Sequence, residues 1–85
     1  MRKLPLFNKA FGDVLRFHRE KVQQTQVGLS LAIGGSESAV RKLESGERTP
    51  TATTIILIAE ALEVEPDVLF KEAINKMKNL EHVIK

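Results

Sequence analysis

Apolar side chains recur at spacings of three and four along most of the chain, and no stretch alternates as a half-buried strand would. The first periodic segment spans residues 9–22, and Asn8 before it has the side chain of a helix N-cap. Residues 1–8 lack this period and contain Pro5, which indicates an irregular arm. The pattern therefore predicts an arm followed by a first helix.

Two short helices are predicted on either side of the glycine pair at 34–35, because glycine adopts a tight turn without a side-chain penalty. One spans residues 26 to about 33. The other begins after Ser36, a good N-cap, and spans residues 37 to about 45, with Gly46 at a usual C-cap position. Two short helices joined in this way form a helix-turn-helix.

Two further helices complete the predicted fold. Thr51 is a suitable cap for a fourth helix, which ends at Leu62. Pro66 suits the first turn of a fifth helix, because a residue there needs no N–H donor, and the helical period continues towards Ile84. The predicted fold class is all-α, with five helices and the helix-turn-helix at about residues 26–45.

The apolar pattern of the helix-turn-helix separates an inner from an outer face. The positions expected to share one core are Leu29, Ile33, Val40 and Leu43. The polar positions left on the outer stripe of the third helix are Glu37, Ser38, Arg41 and Lys42. A polar stripe on a short exposed helix is able to meet another molecule.

Composition excludes several classes of protein. The chain has 85 residues and no cysteine, which is the size of one domain and excludes disulfides and thiolate metal sites. No apolar run reaches the roughly 18 residues of a membrane span, and no secretory signal is present, so a cytoplasmic location is expected. The run Gly34-Gly35-Ser36-Glu37-Ser38 lacks the closing glycine of a nucleophile elbow. We expect no enzyme activity, no metal and no cofactor.

Charged residues are distributed unequally along the chain. Residues 1–48 contain nine Lys and Arg against five Asp and Glu, whereas residues 49–85 contain four against six. A basic half that holds the helix-turn-helix agrees with binding to phosphate, although ordinary variation of surface charge produces the same imbalance.

Motifs along roughly residues 9–70 resemble the Cro/C1-type (Xre) helix-turn-helix family, with no gap needed. The residues that carry the resemblance are Phe11-Gly12, Leu15-Arg16, Arg19-Glu20, Thr25-Gln26, Leu29, Gly34, Ser36, Val40, Leu43-Glu44-Ser45-Gly46, Arg48-Thr49-Pro50, Ala59, Ala61-Leu62, Val64 and Leu69-Phe70. The resemblance implies a five-helix, lambda-repressor-like DNA-binding domain, here over residues 9–70, followed by a helical extension over 71–85.

The family's functional positions transfer residue by residue. Base-contacting positions match Glu37, Ser38, Arg41 and Lys42, of which Arg41 also suits a phosphate. Phosphate-contacting positions match Gln26, Ser36, Arg48 and Thr49. Arg19 and Glu44 match an ion pair between the first and third helices. Lys42 favours guanine and Glu37 suits cytosine, although Glu37 in a first helical turn also stabilises the helix dipole.

The resemblance implies a transcriptional regulator, expected to be a repressor, that binds a double-stranded DNA operator. The alternative is an antitoxin or another protein-binding module that uses the same scaffold to bind a toxin or other partner. Apolar residues at positions that the family leaves exposed keep this alternative open: Val14, Phe17, Val27, Leu31 and Leu57.

The C-terminal extension has a heptad-like seam of apolar residues. The residues expected in a homodimer interface are Leu57, Phe70, Ala73, Met77, Leu80 and Ile84. The seam covers only about two heptads, so the alternative is that the last helix packs back on its own domain.

Overall fold

The structure is a computed structural model that describes the backbone of residues 3–84 and the side chains of residues 5–82. Over the described backbone the chain is all-α and contains no strand. The five helices are α1 (Lys3–Lys21), α2 (Gln26–Ala32), α3 (Glu37–Ser45), α4 (Ala52–Leu62) and α5 (Pro66–Ile84). The predicted fold class and the predicted helix-turn-helix, formed by α2 and α3, are confirmed. Within this described backbone no helix is long and apolar enough to cross a membrane.

The first helix begins earlier than predicted, and the prediction of an irregular arm is wrong for residues 3–8. Pro5 lies in the first turn of α1, where its missing N–H leaves no bond unmade. The Phe7 ring lies 6.0 Å from the Phe11 ring and 5.6 Å from the Phe70 ring. These contacts with the rest of the fold hold the first turns of α1 in place, and Asn8 lies inside the helix instead of capping it.

The predicted N-caps at Ser36 and Thr51 are confirmed, and Thr25 caps α2 in the same way. The hydroxyls of Thr25, Ser36 and Thr51 accept hydrogen bonds from backbone N–H groups at the start of α2, α3 and α4. Gly34 and Gly46 have φ values of 71° and 86°, which favour glycine and end the two helices of the helix-turn-helix. Local sequence signals therefore set the limits of these elements.

The core lies where α1 crosses the other helices. Its largest fully buried side chains are Phe11, Leu15, Leu29, Val40, Ile58 and Leu69. Ser30 is also buried, and its hydroxyl donates to the backbone carbonyl of Val27 at 2.6 Å. Val14, which the family pattern leaves exposed, is 8% exposed and belongs to the core. The helix-turn-helix thus rests on α1 through one continuous apolar cluster.

The last helix packs along α1, which removes Ala73 from the predicted dimer seam. Ala73 is fully buried in the chain's own core, so it is closed to a second copy in this arrangement. Met77 and Leu80 are half-buried on the same side of α5. Phe70 keeps 47% of its surface exposed, and the side chain of Ile84 lies outside the described residues. The seam therefore mainly holds α5 on its own domain.

A close approach between α1 and the end of α3 depends on Gly12. A Cβ atom at this position would lie 2.4 Å from the carbonyl oxygen of Glu44 and 2.5 Å from that of Leu43. Real side chains do not approach backbone oxygens so closely, and neither helix is free to move without opening the core. The absence of a side chain at residue 12 therefore sets the distance between α1 and α3.

We expect Gly12→Ala to lower the free energy of unfolding by about 2 kcal/mol, because the added methyl group forces α1 and α3 apart. Gly35→Ala is the matched control, since a Cβ there would lie 3.9 Å from its nearest neighbours. Urea unfolding followed by circular dichroism measures both variants. Equal stability of the two variants would contradict the close approach.

Candidate nucleic-acid interface

The outer face of α3 carries the polar stripe predicted from the sequence. Glu37, Arg41 and Lys42 are exposed, whereas Ser38 is half-buried. Val40 and Leu43 lie on the opposite side of the helix and are buried. The structure thus brings the four predicted base-contacting residues to one side of α3.

Both ends of α3 are fixed by hydrogen bonds. The Ser36 hydroxyl accepts from the N–H of Ala39 at 3.1 Å, and its own hydrogen remains free to meet an acceptor. At the other end, the N–H of Gly46 donates to the carbonyl of Leu43 at 3.3 Å, and the N–H of Glu47 donates to that of Lys42 at 2.9 Å. A helix of nine residues is marginal alone, so these caps help to keep it formed.

A buried carboxylate connects α3 to α1. Glu44 is 2% exposed, and its two oxygens accept from Nε and Nη2 of Arg19 at 2.5 and 3.0 Å. The third guanidinium nitrogen, Nη1, donates to the backbone carbonyl of Gln24 at 2.8 Å. The hydrogen bond to Glu44 raises the pKa of Arg19, so this side chain stays charged. The predicted ion pair between Arg19 and Glu44 is confirmed.

Two further donors approach the same carboxylate. Gln26, at the start of α2, donates from Nε2 to Oε1 of Glu44 at 3.0 Å. Arg16 places its Nε 3.8 Å from that oxygen while 53% of its side chain stays exposed. Because Arg19 already compensates the charge of Glu44, the guanidinium of Arg16 is an additional positive charge beside Gln26.

The loop after α3 presents the remaining predicted phosphate contacts. Arg48 and Thr49 are both exposed. The Thr49 hydroxyl oxygen accepts from Nδ2 of Asn8 at 2.8 Å, which ties the loop to α1. The loop therefore has a defined position relative to α1.

Arg16 and Asn8 are two residues of this region that were not predicted from the sequence. Arg16 lies three residues before Arg19 on one side of α1, and that spacing is a signal that two arginines approach Glu44 together. Asn8 had no such signal, because its hydrogen-bond partner is distant in the sequence. The exposed cations of this region are Arg41 and Lys42 on α3, Arg48 in the following loop and Arg16 beside Glu44.

The arrangement is suited to binding an anionic surface. Over the described side chains, no group of three or more His, Cys, Asp or Glu residues is placed to hold a metal ion. Nε2 of His18 lies 2.6 Å from Oε1 of Glu72, so this histidine joins α1 to α5. The cations around α3 are the side chains that suit phosphate groups.

Comparison with known sequences agrees with this arrangement. The chain matches a family model described as helix-turn-helix over residues 15–69. An uncharacterized HTH-type transcriptional regulator, y4wC, of Sinorhizobium fredii is 34% identical over 70 residues, which are 82% of this chain and 49% of that protein. The cryptic phage CTXphi transcriptional repressor RstR of Vibrio cholerae is 39% identical over 51 residues, 60% of this chain and 46% of that protein. The chain spans about half the length of these curated relatives.

Solved structures share the same fold. The restriction-modification controller protein C.AhdI from Aeromonas hydrophila aligns with a TM-score of 0.70 and 32% identity, over 73% of this chain and 94% of that one. The clp gene regulator ClgR from Corynebacterium glutamicum aligns with a TM-score of 0.79 over 92% of this chain and 89% of that one. At 23% sequence identity, this similarity shows a shared fold and nothing further.

We expect Glu44→Gln to lower the free energy of unfolding by about 3 kcal/mol, because it leaves the guanidinium of Arg19, whose side chain is 12% exposed, without a counter-charge. Asp13→Asn is the control, since it breaks the more exposed pair between Lys9 and Asp13 and is expected to cost less than about 0.5 kcal/mol. Urea unfolding measures both. Losses of similar size would show that the buried pair does not organise the fold.

Proposed function

Because the chain belongs to the Cro/C1-type helix-turn-helix family, we propose that it binds double-stranded DNA as a transcriptional regulator, with α3 in the major groove. The observation that carries this proposal is the exposed polar stripe of α3 on a helix fixed at both ends and anchored by Glu44. A major groove about 12 Å wide accepts an α-helix, and side chains on one stripe then reach the base edges.

The stripe suggests which bases are preferred. Lys42 donates without accepting and therefore favours the O6 and N7 acceptors of guanine, while Arg41 serves a base or an adjacent phosphate. Glu37 accepts from the amino group of cytosine, and Ser38 accommodates several bases. We therefore expect an operator half-site with at least one G·C pair opposite the first two turns of α3.

Phosphate contacts are expected on both sides of this helix. Gln26 lies on one side, and Ser36, Arg48 and Thr49 lie at the ends of α3 and in the following loop. To these predicted contacts we add Arg16, whose exposed guanidinium lies beside Gln26. Such contacts fix the register of the protein on the duplex.

We further propose a homodimer that uses the outer face of α4. Thr53, Ile56, Leu57 and Glu60 follow one another at helical spacing on this face and are all exposed. Ile56 is 54% exposed and Leu57 36%, which leaves an apolar strip uncovered by the rest of the chain. Two copies joined there place two recognition helices on one duplex, and a single interface then increases the affinity of both.

Repression is the proposed outcome of binding. One of the similar proteins is itself a phage transcriptional repressor. A protein that occupies an operator through a rigid helix-turn-helix blocks access to the DNA beneath it. A regulator of this kind acts on the chromosome, and we therefore propose that the protein is cytoplasmic. We also propose that it has no catalytic activity.

We expect Lys42→Ala and Arg41→Ala each to weaken binding to a DNA site selected by the wild-type chain by about 1–3 kcal/mol. Lys78→Ala, which removes an exposed lysine from α5, is the control and is expected to bind like the wild type. Selection from random duplexes followed by fluorescence anisotropy measures this. Unchanged binding by both α3 variants would place the DNA on a different surface.

We expect Arg16→Ala to reduce the slope of log affinity against log salt concentration by about 0.9, which corresponds to one phosphate contact. Stability should change little, because Arg19 still pairs with Glu44. Lys76→Ala on α5 removes the same charge away from the interface and serves as the control. An identical salt slope for Arg16→Ala and wild type would exclude Arg16 from the interface.

We expect Ile56→Asp to convert the dimer to a monomer and to lower DNA affinity, because a carboxylate would be buried against its own copy in the interface. Leu31→Asp is the matched control, since Leu31 is 77% exposed on α2. Sedimentation velocity at micromolar concentration, with and without operator DNA, measures the state. A wild-type chain that remains monomeric on DNA would contradict the dimer.

A further inference from the structure

A buried asparagine lies where α1 meets the loop after α3. Asn8 is 8% exposed, its Nδ2 donates to the hydroxyl oxygen of Thr49, and its Oδ1 is buried without a hydrogen-bond partner among the described residues. An unpaired buried acceptor is costly, so an apolar residue would fill this place with less penalty. Packing alone does not account for an asparagine here.

The surroundings of Asn8 fix the loop at two points. A Cβ atom at Gly46 would lie 3.1 Å from the Cα of Lys9, so the backbones of α1 and the loop are in direct contact. Three residues further on, the bond from Asn8 holds Thr49 at 2.8 Å. Arg48 lies between these points and is exposed. The loop is therefore anchored to α1 on both sides of a predicted phosphate contact.

The direction of the hydrogen bond between Asn8 and Thr49 determines whether the Thr49 hydroxyl is available to a ligand as a donor or as an acceptor. A hydroxyl has one hydrogen to donate and two lone pairs to accept with. Because Nδ2 of Asn8 donates, it occupies a lone pair of the Thr49 oxygen and leaves the hydroxyl hydrogen unused. Thr49 is exposed, and its hydroxyl donates no hydrogen bond to another of the described residues. The hydroxyl hydrogen is thus directed away from Nδ2 of Asn8 and is available to an external acceptor.

We infer that Asn8 is a positioning residue for DNA binding, which holds the Thr49 hydroxyl as a donor to a DNA phosphate oxygen. This inference rests on the proposed function. A hydroxyl that donates to an anionic oxygen forms a charge-assisted hydrogen bond, which is stronger than one between neutral groups. An oriented hydroxyl also loses less rotational freedom when the phosphate arrives.

A double-mutant cycle on the full chain tests the inference, with anisotropy on the DNA selected by the wild type. We expect Thr49→Val to weaken binding about tenfold, since it removes a hydrogen bond to a charged group. Asn8→Ala should weaken binding about threefold, since the hydroxyl remains but is no longer oriented. The double variant should bind like Thr49→Val alone. Asn79→Ala, at an exposed asparagine of α5, is the control and should bind like the wild type.

A second variant keeps the test valid if Asn8→Ala does not fold. Asn8→Asp preserves the shape of the side chain but presents oxygen to Thr49, so it takes up the hydroxyl hydrogen. Asn8→Asp alone should weaken DNA binding about as much as Thr49→Val does. When Asn8→Asp is added to the Thr49→Val variant, the further loss of affinity should be smaller. Thermal unfolding of each variant separates loss of fold from loss of binding.

Two results would overturn the inference while leaving the proposed function intact. One is that Asn8→Ala or Asn8→Asp binds the selected DNA as tightly as the wild-type chain does, while Lys42→Ala binds the same DNA weakly. The other is losses at residues 8 and 49 that multiply in the double variant. Failure of the wild-type chain to select any duplex would instead remove the proposed function, and the inference with it.

Discussion

The arrangement of the first three helices depends on one buried negative charge. A carboxylate taken out of water is tolerated only when it is paired and hydrogen-bonded, and Glu44 meets this condition through Arg19 from α1 and Gln26 from α2. Apolar packing alone does not determine the rotation of a helix about its axis, because many packings bury a similar apolar surface area. A bidentate guanidinium admits far fewer geometries. The bond from Arg19 to the carbonyl of Gln24 extends the same constraint to the α1–α2 loop.

The two long helices, α1 and α5, provide the other main packing contacts of the fold. One side of α1 accepts the end of α3 so closely that Gly12 has no room for a side chain, and α5 covers another side by burying Ala73. A chain of this size has little apolar surface to spare, so packing α5 on its own domain contributes more than leaving it free for a partner. The outer face of α4, with Ile56 and Leu57, is one of the apolar surfaces that the described fold leaves uncovered.

The sequence was most informative where signals are local. Caps such as Ser36 and Thr51 act within one turn, so the limits of α3 and α4 were predictable from neighbouring residues. The arm was mispredicted because Pro5 and Asn8 have the local character of a helix boundary, whereas contacts of Phe7 with Phe70 keep that segment helical. The ion pair of Arg19 came from a family resemblance, and its further donors required coordinates. Residues that act through distant partners leave no local trace.

Selectivity for particular DNA depends on repulsion as much as on attraction. Exposed cations lie on α3, in the loop that follows it and, at Arg16, beside Glu44, and cations alone bind any duplex through its phosphates. Glu37, at the front of α3, opposes this general attraction wherever no base edge donates a hydrogen to it. In the proposed complex, a cytosine amino group opposite Glu37 compensates the carboxylate, so that its cost falls mainly on other DNA sequences. A residue that weakens binding overall therefore increases the ratio of specific to nonspecific affinity, which is the quantity that a regulator needs.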